Sequence, residues 1–187
     1  MNKLLMSVCL IAFFGVANAN NELGFTGEYS VANWTQSLDE NVLDISGAPN
    51  SIILYSSNSG ANRTIYSDFT VQSLNDGLVS FSWDYITTDG DGASLDPFGW
   101  LINGVYNQLT DDNGSEQQNG ILSFSVVKGD VFGFRAESAD ARFGSSETTI
   151  SNFSVSPVSE SSTLGLFALG LLILGLARRK SLFRGSL

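Results

Sequence analysis

The 187-residue chain has no histidine, a single cysteine (Cys9), and nine basic residues against 19 acidic ones. The lack of histidine excludes Ser-His-Asp and Cys-His nucleophile systems, histidine-ligated metals and a histidine pH switch. The formal net charge of −10 argues against a nucleic-acid partner, because neutralising phosphates needs a basic surface. This length predicts one folded domain with flanking tails.

The N-terminal segment has the features of a secretory signal peptide. Lys3 supplies a positive charge, residues 4–16 are apolar, and Ala17-Asn18-Ala19 offers a small-x-small cleavage site. Cleavage after Ala19 removes residues 1–19, and Cys9 with them. The alternative, a transmembrane helix, is disfavoured because the apolar run is short.

The C-terminal segment, residues 156–187, combines a polar spacer, an apolar run and a basic end. Residues 164–177 are built from Leu, Gly, Ala, Phe and Ile, and Arg178, Arg179 and Lys180 follow directly. We expect a single membrane-spanning helix at about 163–177, with a basic anchor at 178–187 on the cytoplasmic side.

This tail resembles a PEP-CTERM sorting signal. The residues that carry the resemblance are Val158-Ser159-Glu160-Ser161-Ser162-Thr163-Leu164, the Leu/Gly run, and Ala177-Arg178-Arg179-Lys180. Ser159, Glu160 and Ser161 stand where that family has Pro-Glu-Pro, so both prolines are replaced. The resemblance implies a Gram-negative bacterium, export across the inner membrane, and cleavage by an exosortase that sends the protein to the outer surface or extracellular matrix. If the variant motif is not cleaved, the protein stays a single-pass membrane protein.

The body, residues 20–155, is strongly acidic and has no cysteine. Residues 20–158 hold 18 acidic and four basic side chains, a net charge of −14. Such a charge suits a soluble exported domain. With no disulfide available, the fold depends on its hydrophobic core.

The hydrophobic period of the body is two, which predicts half-buried antiparallel strands. In the segment 78–86, Val79, Phe81, Trp83 and Tyr85 share one face, and segment 120–127 alternates in the same way. We expect a first strand near 25–31, a last strand near 148–155, and turns at Gly-containing sites including Asn119-Gly120. The pattern predicts an all-β fold, an antiparallel β-sandwich of jelly-roll type.

The body also resembles a group of poorly characterised PEP-CTERM ectodomains, through Gly24-Phe25-Thr26-Gly27-Glu28-Tyr29, Asn33-Trp34, the run from Asp96 to Gly104, and Phe132-Gly133-Phe134-Arg135. The resemblance implies a jelly-roll-like sandwich and carries no catalytic residues.

Four aspartates form the sharpest chemical feature, Asp84, Asp89, Asp91 and Asp96. Oxygen-rich loops with glycine at the bends suit Ca²⁺, so we take these four as candidate ligands. An EF-hand loop beginning at Asp89 is excluded, because Trp100 stands at its twelfth position, where that loop needs an acidic ligand. The alternative is a solvated hairpin turn in which the Asp-Gly pairs supply positive φ.

Aromatic side chains beside polar loops are candidates for stacking on sugars, above all Trp100 and Tyr106. Burial in the core is the alternative for both. Trp83, on an alternating strand, is expected in the core.

We therefore expect an exported, non-catalytic sandwich with an interaction or structural role in an extracellular polysaccharide matrix. A carbohydrate-binding module and a glycan-active enzyme are the alternatives. A ring-lined groove would favour the module, and two acids converging in a cleft would favour the enzyme.

Overall fold

The computed structural model describes residues 21–37, 43–158 and 170–171. Residues 20–158 form one compact unit. The predictions for the signal peptide with Ala17 and Ala19, the sorting motif Ser159 to Ser161, and the basic anchor Arg178 to Lys180 lie outside the described residues. Of the proposed membrane helix, only Gly170 and Leu171 are described, and both are helical.

No helix within the described residues is both long and apolar enough to cross a membrane.

Eleven strands make up the described part of the body, joined by two short 3₁₀ helices at Gly27–Tyr29 and Val31–Asn33. The strands are β1 (Glu22–Leu23), β2 (Thr35–Ser37), β3 (Leu43–Asp44), β4 (Ser51–Tyr55), β5 (Ile65–Gln72), β6 (Gly77–Thr87), β7 (Phe98–Ile102), β8 (Val105–Gln108), β9 (Gln117–Val126), β10 (Val131–Ser138) and β11 (Ser146–Pro157).

The strands form two antiparallel sheets. The first has the order β3-β4-β11-β6-β9, with β1 also paired to β11, and the second has the order β2-β5-β10-β7-β8. Inward-facing residues of both sheets share one hydrophobic cluster. The predicted all-β sandwich is confirmed, and the last predicted strand corresponds to β11.

The period-two pattern of β6 works as predicted. Val79, Phe81, Trp83 and Tyr85 are all buried, and the residues between them face outward. β11 carries a bulge between Ser151 and Ser154, where Asn152 has a positive φ of 50°. The bulge turns Phe153 into the core, where it is 1% exposed.

Two local predictions are wrong. The first strand expected near 25–31 is absent, because Thr26 to Asn33 folds into the two 3₁₀ helices instead. The turn expected at Asn119-Gly120 lies inside β9, where the glycine serves packing. A Cβ at Gly120 would lie 2.9 Å from Trp83 Nε1, so the indole of Trp83 occupies the space that a side chain would need.

Trp34 is the centre of the aromatic core. Its ring stacks on Phe69 with centroids 4.7 Å apart and on Phe134 at 5.5 Å, and it meets Phe153 of the first sheet edge-on at 5.6 Å. Its indole N–H donates to the Tyr29 carbonyl at 2.9 Å, which satisfies its one polar group. Trp34 therefore joins the two sheets and is no surface platform.

Candidate functional site

The structure does not bring the four candidate calcium ligands together. Asp84 lies on β6 between the buried Trp83 and Tyr85, so it points out of the sandwich. Asp91 is exposed at the tip of the loop after β6, where its backbone N–H donates to Asp89 Oδ1 at 2.7 Å. Asp89 and Asp96 are 2% and 0% exposed. Within residues 21–37 and 43–158, no three acidic or cysteine side chains lie close enough together to hold a metal ion. The predicted site of four aspartates is therefore wrong.

The two buried aspartates lie in a polar part of the interior. Burial raises the pKa of Asp96 to about 6, and the Asp89 and Asp140 carboxylates add to this, whereas the Ser138 and Ser56 hydroxyls oppose it. The Ser138 and Ser56 hydroxyls lie near the Asp96 carboxyl group, although neither of its oxygens makes a hydrogen bond of normal geometry.

The two candidate sugar-stacking residues face opposite sides of the β7–β8 ribbon. Trp100 faces the interior and stacks on Phe124 with centroids 4.1 Å apart. Tyr106 pairs with Leu101, the next residue along β7, and so faces the other way. Its ring lies across Gly99, where a Cβ would come within 2.6 Å of Tyr106 Cε2. The structure therefore does not join them into one platform.

On the outer face of the second sheet, an arginine–aspartate ion pair lies between two tyrosine rings. Arg135 makes a two-pronged contact with Asp68, from Nε to Oδ1 at 2.6 Å and from Nη2 to Oδ2 at 2.7 Å. Its guanidinium lies 4.3 Å from the ring centre of Tyr66 and 5.6 Å from that of Tyr106. Burial raises the pKa of Tyr106, whose hydroxyl is also buried. These groups are engaged with one another, which leaves little for a ligand.

The outer face of the first sheet is different, because it is open and many of its side chains are short and polar, with Leu78, Ile86 and Ile121 also exposed on it. Several serine hydroxyl groups lie in the middle of this face. The Ser123 hydroxyl donates a hydrogen bond to the Ser80 hydroxyl at 2.9 Å, and the Asn152 side-chain amide donates one to the Ser82 hydroxyl at 3.2 Å. The serines that alternate outward on β11, β6 and the edge strand β9 are Ser80, Ser82, Ser123, Ser125, Ser151, Ser154 and Ser156.

At one end of this face, cross-strand pairing aligns two rows of four residues. The first row is Tyr55, Glu147, Ile86 and Gln117, and the second is Ile53, Thr149, Asp84 and Asn119. A shallow recess of about 290 Å³ lies over the part of these rows on β11, β6 and β9, and Tyr55 and Ile53 are not part of its lining. Burial and the neighbouring Glu147 and Asp44 carboxylates raise the pKa of Tyr55.

Sequence reasoning missed most of these two rows. Of their eight residues only Asp84 was a predicted site residue, and it was predicted as a calcium ligand. Glu147 and Tyr55 join it through strand pairings that connect residues far apart in the chain. The one local signal is the alternation of β11, whose outward positions Glu147 and Thr149 flank the buried Thr148.

No family model matches the chain, and no curated protein matches it in sequence. Solved structures resemble it at low identity. TmCBM61 in complex with beta-1,4-galactotriose has 14% identity, a TM-score of 0.39, and coverage of 72% of this chain and 94% of that one. A CBM35 from Paenibacillus barcinonensis has 11% identity, a TM-score of 0.33, and coverage of 75% and 100%. Rabbit GITRL has 14% identity, a TM-score of 0.30, and coverage of 42% and 68%.

Proposed function

We propose that the protein is a non-catalytic binding module that holds neutral polysaccharide on these two rows of residues, which we call the glycan face. The observation that carries this is the alignment of Tyr55, Glu147, Ile86 and Gln117 across four strands, beside Thr149, Asp84 and Asn119. Carboxylates and amides bind sugar hydroxyls, while a tyrosine ring and isoleucine side chains cover the apolar faces of sugar rings. The recess of about 290 Å³ has room for a sugar unit of a longer chain that continues over the serines.

The charge of the body favours a neutral glycan over a uronic-acid polymer. Residues 20–158 carry a net charge of −14, and two of the acids lie in the glycan face itself. A polyanion would meet repulsion at this surface, whereas neutral sugar hydroxyls donate readily to Asp84 and Glu147.

The same geometry argues against glycoside hydrolysis. A hydrolase needs one carboxyl kept protonated by its surroundings and placed across the bond from a second. Asp84 is exposed and Glu147 is half-buried on an open face. The carboxyls whose pKa is raised by burial, Asp96 and Glu137, lie inside the sandwich and on the outer face of the second sheet.

Export and matrix attachment complete the proposal. The signal-like residues 1–19 and the PEP-CTERM-like tail 156–187 support transit through the inner membrane and recognition by an exosortase. We propose that the glycan face then binds extracellular polysaccharide, either from the outer surface after cleavage or from a membrane-anchored chain without it. Intact mass of the native protein distinguishes the two, since removal of each segment leaves a separate mass loss.

The binding proposal predicts the effect of the double variant Asp84→Asn with Glu147→Gln. We expect affinity for a soluble neutral β-glucan or galactan to fall about 10- to 100-fold, because two charge-assisted hydrogen bonds become weaker neutral ones. Tyr55→Ala should weaken binding about tenfold through lost ring contact. Affinity electrophoresis in gels containing each polysaccharide, with alginate as the anionic comparator, measures this.

Matched controls lie elsewhere on the body. Tyr66→Ala removes a 46% exposed tyrosine from the opposite sheet, and Glu28→Gln removes an exposed carboxylate near β1. Both should bind as the unmodified protein does. Equal loss in Tyr66→Ala and Tyr55→Ala, or retardation by alginate alone, would reject the assignment to the glycan face.

A further inference from the structure

Five unpartnered side-chain oxygens are buried at the end of the sandwich where the loop after β6 folds back inside. They are Asp89 Oδ2, both carboxyl oxygens of Asp96, Ser146 Oγ and Thr148 Oγ1. None of these four residues is more than 2% exposed. Buried polar atoms in native proteins nearly always have a partner, so such a group of oxygens calls for one.

Backbone pairing and hydrogen bonds place these residues around the paired ends of β6 and β11. Ser146 and Thr148 are register partners of Thr87 and Tyr85. The Thr87 hydroxyl accepts the Asp89 N–H at 3.0 Å. The Tyr85 hydroxyl donates to the Asp96 carbonyl, also at 3.0 Å. These bonds place the backbones of Asp89 and Asp96 beside the strand ends that carry Ser146 and Thr148.

Hydroxyl groups rotate freely and would donate to a carboxylate within reach. The Ser146 and Thr148 hydroxyls make no such bond, so they stand farther from the carboxyl oxygens than a hydrogen bond spans. A cation held among these oxygens would supply the partner that they lack. Buried carboxylates without a partner destabilise the fold, and a cation would offset that cost.

The donor set selects the kind of cation. It contains oxygen atoms only, and the two carboxylates carry two negative charges. Ca²⁺ takes six to eight oxygen ligands in flexible geometry, whereas Mg²⁺ demands a tight octahedron and zinc prefers nitrogen and sulfur.

A strained loop packs against the same place. Ala141 and Phe143 adopt positive φ values of 57° and 65°, and a Cβ at Gly144 would lie 2.4 Å from the backbone of Asp89. Such strain persists only where the surroundings hold it, and it is typical of ligand sites.

We propose that Asp89, Asp96, Ser146 and Thr148 bind a Ca²⁺ ion that ties the loop after β6 to β11. Asp84 and Asp91 take no part. The site is structural and lies away from the outward side chains of the glycan face, so the two proposals can fail separately.

The test starts from the full-length chain stripped of metal with chelator. Ca²⁺ at a free concentration about 100 times its Kd should raise Tm by about 5–10 °C, and Mg²⁺ should do less at the same ionic strength. Metal analysis after dialysis should find about one Ca²⁺ per chain. Equal Tm values in chelator, Ca²⁺ and Mg²⁺ would overturn the proposal.

Variants locate the ion. Thr148→Val removes one ligand oxygen at nearly constant volume, and Asp89→Asn removes one charge. Each should lower the Ca²⁺ affinity at least tenfold while the chelator-treated protein still folds. Asp91→Asn and Asp84→Asn, the two aspartates outside the site, should keep the full rise in Tm. An unchanged affinity in Thr148→Val and Asp89→Asn, or its loss in Asp91→Asn, would place the ion elsewhere and overturn the assignment.

Discussion

Replacing Trp34 by alanine should lower the free energy of unfolding by about 3–5 kcal/mol. The loss combines transfer of a large ring to water with the cavity left between the two sheets. Trp34 is 7% exposed and contacts Phe69, Phe134 and Phe153. Since domains of this size are stable by about 5–15 kcal/mol, much of the margin would be lost. Urea unfolding followed by circular dichroism measures it.

Two comparisons separate a core role from a surface one. Trp34→Leu should recover part of the loss, because leucine refills some of the cavity. Trp100→Leu, at a half-buried ring with one stacking partner, should cost distinctly less. A Trp34→Ala variant as stable as the unmodified protein but unable to bind polysaccharide would show that Trp34 is a binding platform and contradict the described core.

In chelator, the unmodified protein should lose about 2–3 kcal/mol of stability between pH 4 and pH 6 through Asp96 alone. Burial raises the pKa of Asp96 from 3.8 to about 6 in the folded state. Between these values the folded state holds a proton that the unfolded state has released, so stability falls as pH rises. Above pH 6 the cost of ionising the buried carboxyl is complete.

Asp96→Asn isolates this effect, since asparagine does not titrate. The difference in unfolding free energy between the two proteins, measured by urea unfolding at pH 4, 5, 6 and 7, should follow one titration centred in that window. Burial raises the pKa of Glu137 as well, but that contribution is common to both proteins. Asp44 and Asp130 have lowered pKa values and act at lower pH, with the opposite sign. A flat difference curve would show that Asp96 is not desolvated.

Local patterns predicted the alternating strands β6, β9 and β11, because a period of two depends only on which faces are buried. The alternation of Val79, Phe81, Trp83 and Tyr85 is visible in the sequence and holds in the structure. The same alternation implies that Asp84 faces outward, away from Asp89 and Asp96. The hypothesis of a four-aspartate calcium site included Asp84 because it grouped the acids by their positions along the chain and ignored the face of the strand on which each one lies.

The sequence alone did not predict the features that depend on pairing between strands distant in the chain. Glu147 reaches Ile86 and Asp84 only because β11 lies between β4 and β6. Trp34 enters the core because two 3₁₀ helices replace the expected strand, a local choice that the apolar pattern of residues 25–31 does not reveal. Asp96 is buried because its loop folds inward. The composition of that loop shows only that it is acidic.

Binding of neutral polysaccharide by the glycan face is the central claim, and chemical-shift mapping tests it most directly. Amide spectra of the isotope-labelled full-length chain would be recorded during titration with short oligosaccharides of the neutral polymer retained in the electrophoresis gels. The account predicts shifts concentrated at Tyr55, Ile86, Gln117, Glu147 and their row neighbours, with the amides around Tyr66 and Arg135 unmoved. Shifts confined to the second sheet, or no shifts at saturating sugar, would contradict it.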